Sequence, residues 1–322
     1  QFKLYPPYMP TNMALTSSSE GDSVVLSWKD CERTFAIDYY QVYDAHTKTT
    51  YKVATNYVVL PARKEGSYLI TIQAFDVIGH SSPVVEYNML ISGVGGMIVD
   101  ATVDGSDILI QWSIPDASFT LDRYIIKSDN DKIPTSPDDV NFDDGELLGT
   151  AKVNFFRTPA GKAGTYTFYV WAVDVAGNVS TNYASYTSIT IKAPTAPLVE
   201  ANSTGKSIHL SWTPQVTASE GQLPIVSYDV VRYWEDTIPG TGIVEAKEYV
   251  YGNFSQDTID VDPLPVLSYG KYYFRVRAWD TGGNHSDSWG EADFTVVGPN
   301  TPFFNEVQIV VNAVMFWWSE PK

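Results

Sequence analysis

The side chains able to do chemistry are few and badly spaced for it. The chain of 322 residues holds four histidines, His46, His80, His209 and His285, in four different local contexts with no spacing of metal-ligand type. Its one cysteine, Cys31, excludes an internal disulfide and any thiolate zinc site. The acidic stretch Asp138 to Glu146 places Asp139, Asn141 and Asp143 at positions one, three and five of a calcium loop. The pattern then fails: Gly145 comes one residue late, and Thr150 stands where a bidentate Glu is required. A solvated acidic loop is the better reading. Serines and aspartates fall at repeat or turn positions, so no Ser-His-Asp set emerges. No catalytic, cofactor-binding or metal-ligating residue is nominated, and a non-enzymatic role is expected.

Aromatic residues make up 14% of the chain, and flat rings can stack on sugars. Four of them alternate outward on their strands: Tyr169 and Trp171, then Tyr273 and Trp279. These are the candidate ligand or interface contacts. The competing and favoured reading packs them on cross-strand partners, a neighbouring module or a second subunit.

The elements that position them form a repeat. Three segments align without gaps: Gly66 to Asp76 (GSYLITIQAFD), Gly164 to Asp174 (GTYTFYVWAVD) and Gly270 to Asp280 (GKYYFRVRAWD). Three residues beyond each Asp stands a glycine, Gly79, Gly177 or Gly283, followed by His80, Asn178 or Asn284. Upstream, an alternating strand closes on Trp28, Trp112 or Trp212, and a fourth reaches Trp318. Between them lies a strand built on Tyr40 and Val42, Tyr124 and Ile126, or Tyr228 and Val230. Alternation with a period of two puts Tyr272, Phe274, Val276 and Ala278 on one face and Tyr273, Arg275, Arg277 and Trp279 on the other. The recurrent Asp76, Asp174 and Asp280 are expected to form turns by accepting backbone hydrogen bonds. The expected architecture is all-β: tandem antiparallel β-sandwiches spanning 1–93, 94–193 and 194–297, with the start of a fourth module at 298–322. Proline-marked linkers at Pro194, Pro197, Pro299 and Pro302 limit bending, whereas Gly93-Val94-Gly95-Gly96 predicts a more flexible junction.

Charge narrows the partners. The net charge is −17, and acidity rises along the array. The first module has seven basic against nine acidic residues, the second seven against 13, and the third six against 14. Nucleic acid and anionic membrane are poor partners for such a surface, and no apolar run is long enough to insert in a membrane. Four Asn-x-Ser/Thr sequons occur, at Asn178, Asn202, Asn253 and Asn284; two of them belong to the Gly-Asn turn, which explains them without glycosylation. The chain opens at Gln1 without a leader and stops just after an apolar run at Trp317-Trp318. It is expected to be an internal piece of a longer polypeptide.

A tryptophan ending strand B, Tyr-x-Val on strand C and a tyrosine opening strand F, without a disulfide, resemble the fibronectin type III module. One departure stands out: glycine lies two residues before the strand-F tyrosine rather than three, so the E–F corner should differ. The phrases AVDVAGNVS (172–180) and AWDTGGNHS (278–286) resemble microbial and phage versions of the module. The stretch from Arg123-Tyr124-Ile125-Ile126 through Leu147-Leu148-Gly149-Thr150 to GTYTFYVWAVD is similar to modules of tail-tip host-specificity proteins of long-tailed phages. That resemblance implies a structural and adhesive segment on the virion tail tip, spacing receptor-binding elements from a trimeric hub. Its partners would be other tail-tip proteins, copies of itself in a homotrimer and a host cell-surface receptor; no cofactor is implied. The alternatives are an accessory array of a secreted bacterial polysaccharide-degrading enzyme and a bacterial surface adhesin stalk.

Overall fold

A computed structural model describes residues 5–17, 21–129, 146–180, 186–204, 207–215, 221–237, 241–261, 270–297, 304–310 and 313–318. The acidic stretch from Asp138 lies outside them up to Gly145. Described residues contain strands, turns and no helix. The chain divides into two compact units, Gln1–Thr158 with Thr165–Ile189, and Pro159–Gly164 with Thr190–Lys322.

The first unit begins with β1 (Thr11–Ser17), β2 (Ser23–Lys29), β3 (Ile37–Asp44), β4 (Thr49–Val53), β5 (Tyr57–Pro61), β6 (Gly66–Asp76) and β7 (Val85–Ile91). β1-β2-β5 form one antiparallel sheet and β4-β3-β6-β7 the other. Alternation in β2 and β6 buries Val24, Leu26 and Trp28 against Tyr68, Ile70, Ile72 and Ala74, the core between the two sheets. A second set repeats the arrangement: β8 (Val99–Asp104), β9 (Asp107–Trp112), β10 (Leu121–Ser128), β11 (Glu146–Ala151), β12 (Phe155–Pro159), β13 (Gly164–Asp174) and β14 (Tyr186–Ile191). Their sheets are ordered β12-β9-β8 and β11-β10-β13-β14.

The second unit holds β15 (Leu198–Thr204), β16 (Ser207–Thr213), β17 (Ile225–Thr237), β18 (Val244–Phe254), β19 (Thr258–Val261), β20 (Gly270–Asp280) and β21 (Gly290–Val296). Here the sheets run β15-β16-β19 and β18-β17-β20-β21. A hairpin of β22 (Phe304–Val310) and β23 (Ala313–Trp318) follows.

Strand register is common to the three sandwiches. Tyr40 stands opposite Ala74, Tyr124 opposite Ala172, and Tyr228 opposite Ala278. Each tyrosine meets the strand-B tryptophan at a steep angle, with centroids 5.1, 5.1 and 5.5 Å apart. The alanine is small because a larger side chain would displace that aromatic pair. A bulge recurs beside Ile37, Leu121 and Ile225, just where the chain enters the central strand. The glycine-rich junction at 93–96 is packed, contrary to the expectation of flexibility. Val94 is 1% exposed and bridges Ser180, and the Gly95 N–H donates to the Asp116 carbonyl at 2.7 Å. Glycine there permits close backbone approach.

Candidate functional site

Two features carry interaction chemistry: the turn after each strand F (β6, β13 and β20), and the outer face of those strands. The turn is built identically three times. Gly79, Gly177 and Gly283 sit at φ of 90°, 77° and 72°, a conformation that disfavours any side chain. Their N–H groups donate to the carbonyls of Asp76, Asp174 and Asp280. Each aspartate carboxylate then accepts the N–H four residues on: His80 at 2.8 Å, Asn178 at 2.8 Å and Asn284 at 2.9 Å. Burial raises the Asp76 carboxyl pKa, but hydrogen bonds from His80 and Ile78 outweigh it and leave it below its ordinary value. Ser82, Ser180 and Ser286 close the turn by donating backbone N–H to the strand-F alanine carbonyl at 2.8, 2.9 and 3.0 Å. The aspartates are turn formers, as the repeat implied: one carboxylate oxygen accepts backbone N–H, and the other faces the side chain four residues on, His80 Nδ1 at 3.2 Å, Asn178 Nδ2 at 2.8 Å or Asn284 Nδ2 at 3.0 Å.

In two of the three turns the next residue reaches beyond its own sandwich. Within the first unit, Asn178 Oδ1 accepts the Glu65 N–H at 2.7 Å and its Nδ2 donates to the Arg63 carbonyl at 3.3 Å. Lys64 Nζ donates to the Gly177 carbonyl. Phe119 is buried in the core of β1–β7, with Ala176 packed against it. Within the second unit the same bonds recur. Asn284 Oδ1 accepts the Ala163 N–H at 2.7 Å, its Nδ2 donates to Gly161 O at 3.3 Å, and Lys162 Nζ donates to Gly283 O at 2.6 Å. Leu223, two residues before the bulge as Phe119 is, lies buried beside Gly282. Each clasp joins an E–F corner, Arg63–Glu65 or Gly161–Ala163, to a Gly-Asn turn. Asn178 and Asn284 are buried to 3% and 7% exposure, which closes both turn sequons to a glycan.

The outer faces of strand F carry the candidate aromatics. Tyr169 and Trp171 point to the outer side of β13 yet are 5% and 2% exposed, so neither presents a ring to solvent. They stack in series with Tyr186, at 5.8 and 6.3 Å between centroids, and the buried Lys127 ammonium lies 5.9 Å from the Trp171 ring. Burial pushes the Tyr169 phenol up. Tyr273 and Trp279 on β20 are half-buried. Tyr273 stacks on Tyr233 at 5.1 Å, and Trp279 Nε1 donates to Asp229 Oδ2 at 2.7 Å. Two residues outside the candidate set complete this face. Arg275 lies between Tyr233 and Trp289 (5.2 and 4.9 Å), and Arg277 between Trp289 and Trp279 (4.6 and 5.3 Å). Arg277 also pairs with Asp229 at 3.0 Å, and Arg275 with Glu248 at 3.0 Å. The buried Nε of each arginine has no acceptor and lies among rings, where cation–π attraction replaces a hydrogen bond. The signal in the sequence was the Arg-x-Arg-x-Trp run of β20, which alternation aligns on one face.

Three further pairs put titratable groups to structural use. Asp44 and Arg63 form a buried pair at 3.0 Å, Cys31 is buried 3.9 Å from the Tyr40 hydroxyl, and His209 pairs with Asp260 at 2.6 Å. Among the described residues no three His, Cys, Asp or Glu side chains gather where a metal ion would sit.

No protein-family model matches the chain, and no curated protein matches it. Among solved structures, the FN1–FN3 domains of chicken CNTN1 align with 90% of this chain and 99% of that chain, at 14% identity and a TM-score of 0.25. The chain's own strand orders, three and four per sandwich, make it an all-β array of fibronectin type III-like modules.

Proposed function

We propose that this array is a non-catalytic spacer and adhesive segment of a long-tailed phage tail-tip protein, holding receptor-binding elements at a set distance from the tail hub. The observation that carries the spacer role is the repeated clasp, in which a corner and a Gly-Asn turn meet through the same three hydrogen bonds twice along the chain. Within the first unit, which holds both sandwiches of the first clasp, such a bonded junction resists bending in a way that a free linker does not. The tail-tip setting rests on the resemblance of residues 123–174 to host-specificity modules, and it brings copies of the chain in a homotrimer, other tail-tip proteins and a host receptor as partners on the virion. Light scattering on the assembly purified from its source tests it. The expected result is a trimer of chains longer than 322 residues, and a secreted monomer overturns it.

The arginine–aromatic face of β20 favours a second reading, an accessory module that binds polysaccharide. Retardation of the chain in polysaccharide-containing native gels would support that reading over a pure spacer.

A further inference from the structure

The three F–G turns share a backbone but differ at two positions, and the difference selects what each can dock. Counted from the turn aspartate, the second residue is Ile78, Ala176 or Gly282, and the fourth is His80, Asn178 or Asn284. We propose that this pair determines docking. A small residue with Asn accepts the E–F corner of a preceding sandwich, one with a lysine between the bonded carbonyl and N–H; Ile78 with His80 refuses it. The assignment is independent of the tail-tip setting.

The geometry gives each position its reason. The primary amide of Asn offers an acceptor beside an NH2 group with two hydrogens: Nδ2 serves the turn aspartate, Asp174 Oδ2 at 2.8 Å or Asp280 Oδ2 at 3.0 Å, and still donates to the carbonyl of Arg63 or Gly161 while Oδ1 accepts the N–H of Glu65 or Ala163. An imidazole carries its two nitrogens on opposite sides of the ring, and in His80 Nδ1 already faces Asp76 Oδ2 at 3.2 Å. One nitrogen remains, too few to span both groups. The second position is steric. A Cβ at Gly282 would lie 2.4 Å from the Gly161 carbonyl oxygen, and Ala176 is packed against the β1–β7 core. Ile78, at the same place, is 54% exposed and has a branched side chain that no such junction would admit. The position two residues before the bulge does not discriminate, because Phe35 keeps the residue type of Phe119. In this chain Phe35 is half-buried, whereas Phe119 is buried.

The test is hydrogen exchange on the full chain, read at two amides that report the two clasps: Glu65 N–H and Ala163 N–H. Placing the first sandwich's pair in the second, Ala176→Ile with Asn178→His, should speed Glu65 exchange by about tenfold or more while Ala163 and the β13 amides keep their rates. Gly282→Ile, which removes no turn hydrogen bond, should release Ala163 and leave Glu65 and the β20 amides protected. Wild-type rates at Glu65 in the double variant overturn the proposal. If β13 exchanges together with Glu65, the double variant has disturbed the second sandwich itself and Gly282→Ile decides. Release of Ala163 with β20 protected then supports the assignment, and an unchanged Ala163 rate sinks it.

Discussion

Strands β13 and β20 present the same face of the same fold and use it in opposite ways. Counting back from the turn aspartate, Tyr169 and Trp171 occupy the positions that Arg275 and Arg277 fill in β20. Trp279 stands where β13 has Val173. On β13 the rings are buried, and Lys127 of the neighbouring β10 is buried with them. On β20 guanidinium groups alternate with half-buried rings and are neutralised by Asp229 and Glu248. The inner face of strand F and the turn beyond it are fixed by the fold, and the outer face is free to vary because it touches neither. The largest test of this contrast is truncation. Trp171→Ala should cost about 3–5 kcal/mol, the range for emptying a closed aromatic site. Trp279→Ala should cost about 1–2 kcal/mol, the loss of partial burial and one hydrogen bond. Native-state exchange of β13 and β20 amides reads each cost in its own sandwich, and equal costs would erase the distinction between the two faces.

The next test uses pH. Burial pushes the Asp229 carboxyl up, but Asn253, the Trp279 indole and Arg277 pull it down further, and the result lies below the ordinary 3.8. A carboxylate lowered on folding stabilises the fold above its unfolded value, and that contribution fades as pH falls through its folded value. Above about pH 5, Asp229→Asn should therefore be less stable than the parent by about 1–2 kcal/mol, and the two should converge as the pH drops below 3.8. Denaturant or exchange measurements of β20 from pH 6 to about pH 2 follow the convergence. A constant gap at every pH would mean that Asp229 acts by packing alone.

Most of the fold could be read from the chain because the repeat states it three times. Trp, Tyr-x-Val, the Gly-x-Tyr opening and Asp-x-x-Gly each fall where one structural demand recurs, so alternation and turn chemistry agree. Other recurrences were in plain sight and lacked a visible partner. Asn56 and Asn154 donate to the carbonyls of Trp28 and Trp112 at 2.8 and 3.1 Å, bonds that cross to another strand of the sheet. Asn178 and Asn284 looked like turn residues because their second role lies on a corner more than a hundred residues earlier. The burial of Tyr169 and Trp171 was also hidden, since alternation tells which side of a sheet a ring takes and says nothing of what covers that side. The packed junction at Val94 was hidden for a related reason: glycine permits both mobility and close approach, and only the neighbouring Asp116 carbonyl decides between them.

The smallest test asks whether the β20 face acts as a set of separate pairs or as one network. Arg275 and Glu248 lie 3.0 Å apart with side chains 27% and 48% exposed, so an isolated pair should contribute about 0.2–1 kcal/mol and weaken as salt is added. A double-mutant cycle with Arg275→Gln and Glu248→Gln measures that coupling. The rings on either side of Arg275 are the complication, because Tyr233 and Trp289 also hold the guanidinium, at 5.2 and 4.9 Å. Pre-placement lowers the entropy lost on pairing, and it also means that Arg275→Gln removes more than the ion pair. The cycle cancels the second effect and keeps the first. A coupling within the surface range that disappears in high salt would make the β20 face a stack of rings with incidental charges. A coupling well above it, persistent in salt, would mean that the arginines and carboxylates order the face together, the property that most separates it from the dry aromatic face of β13.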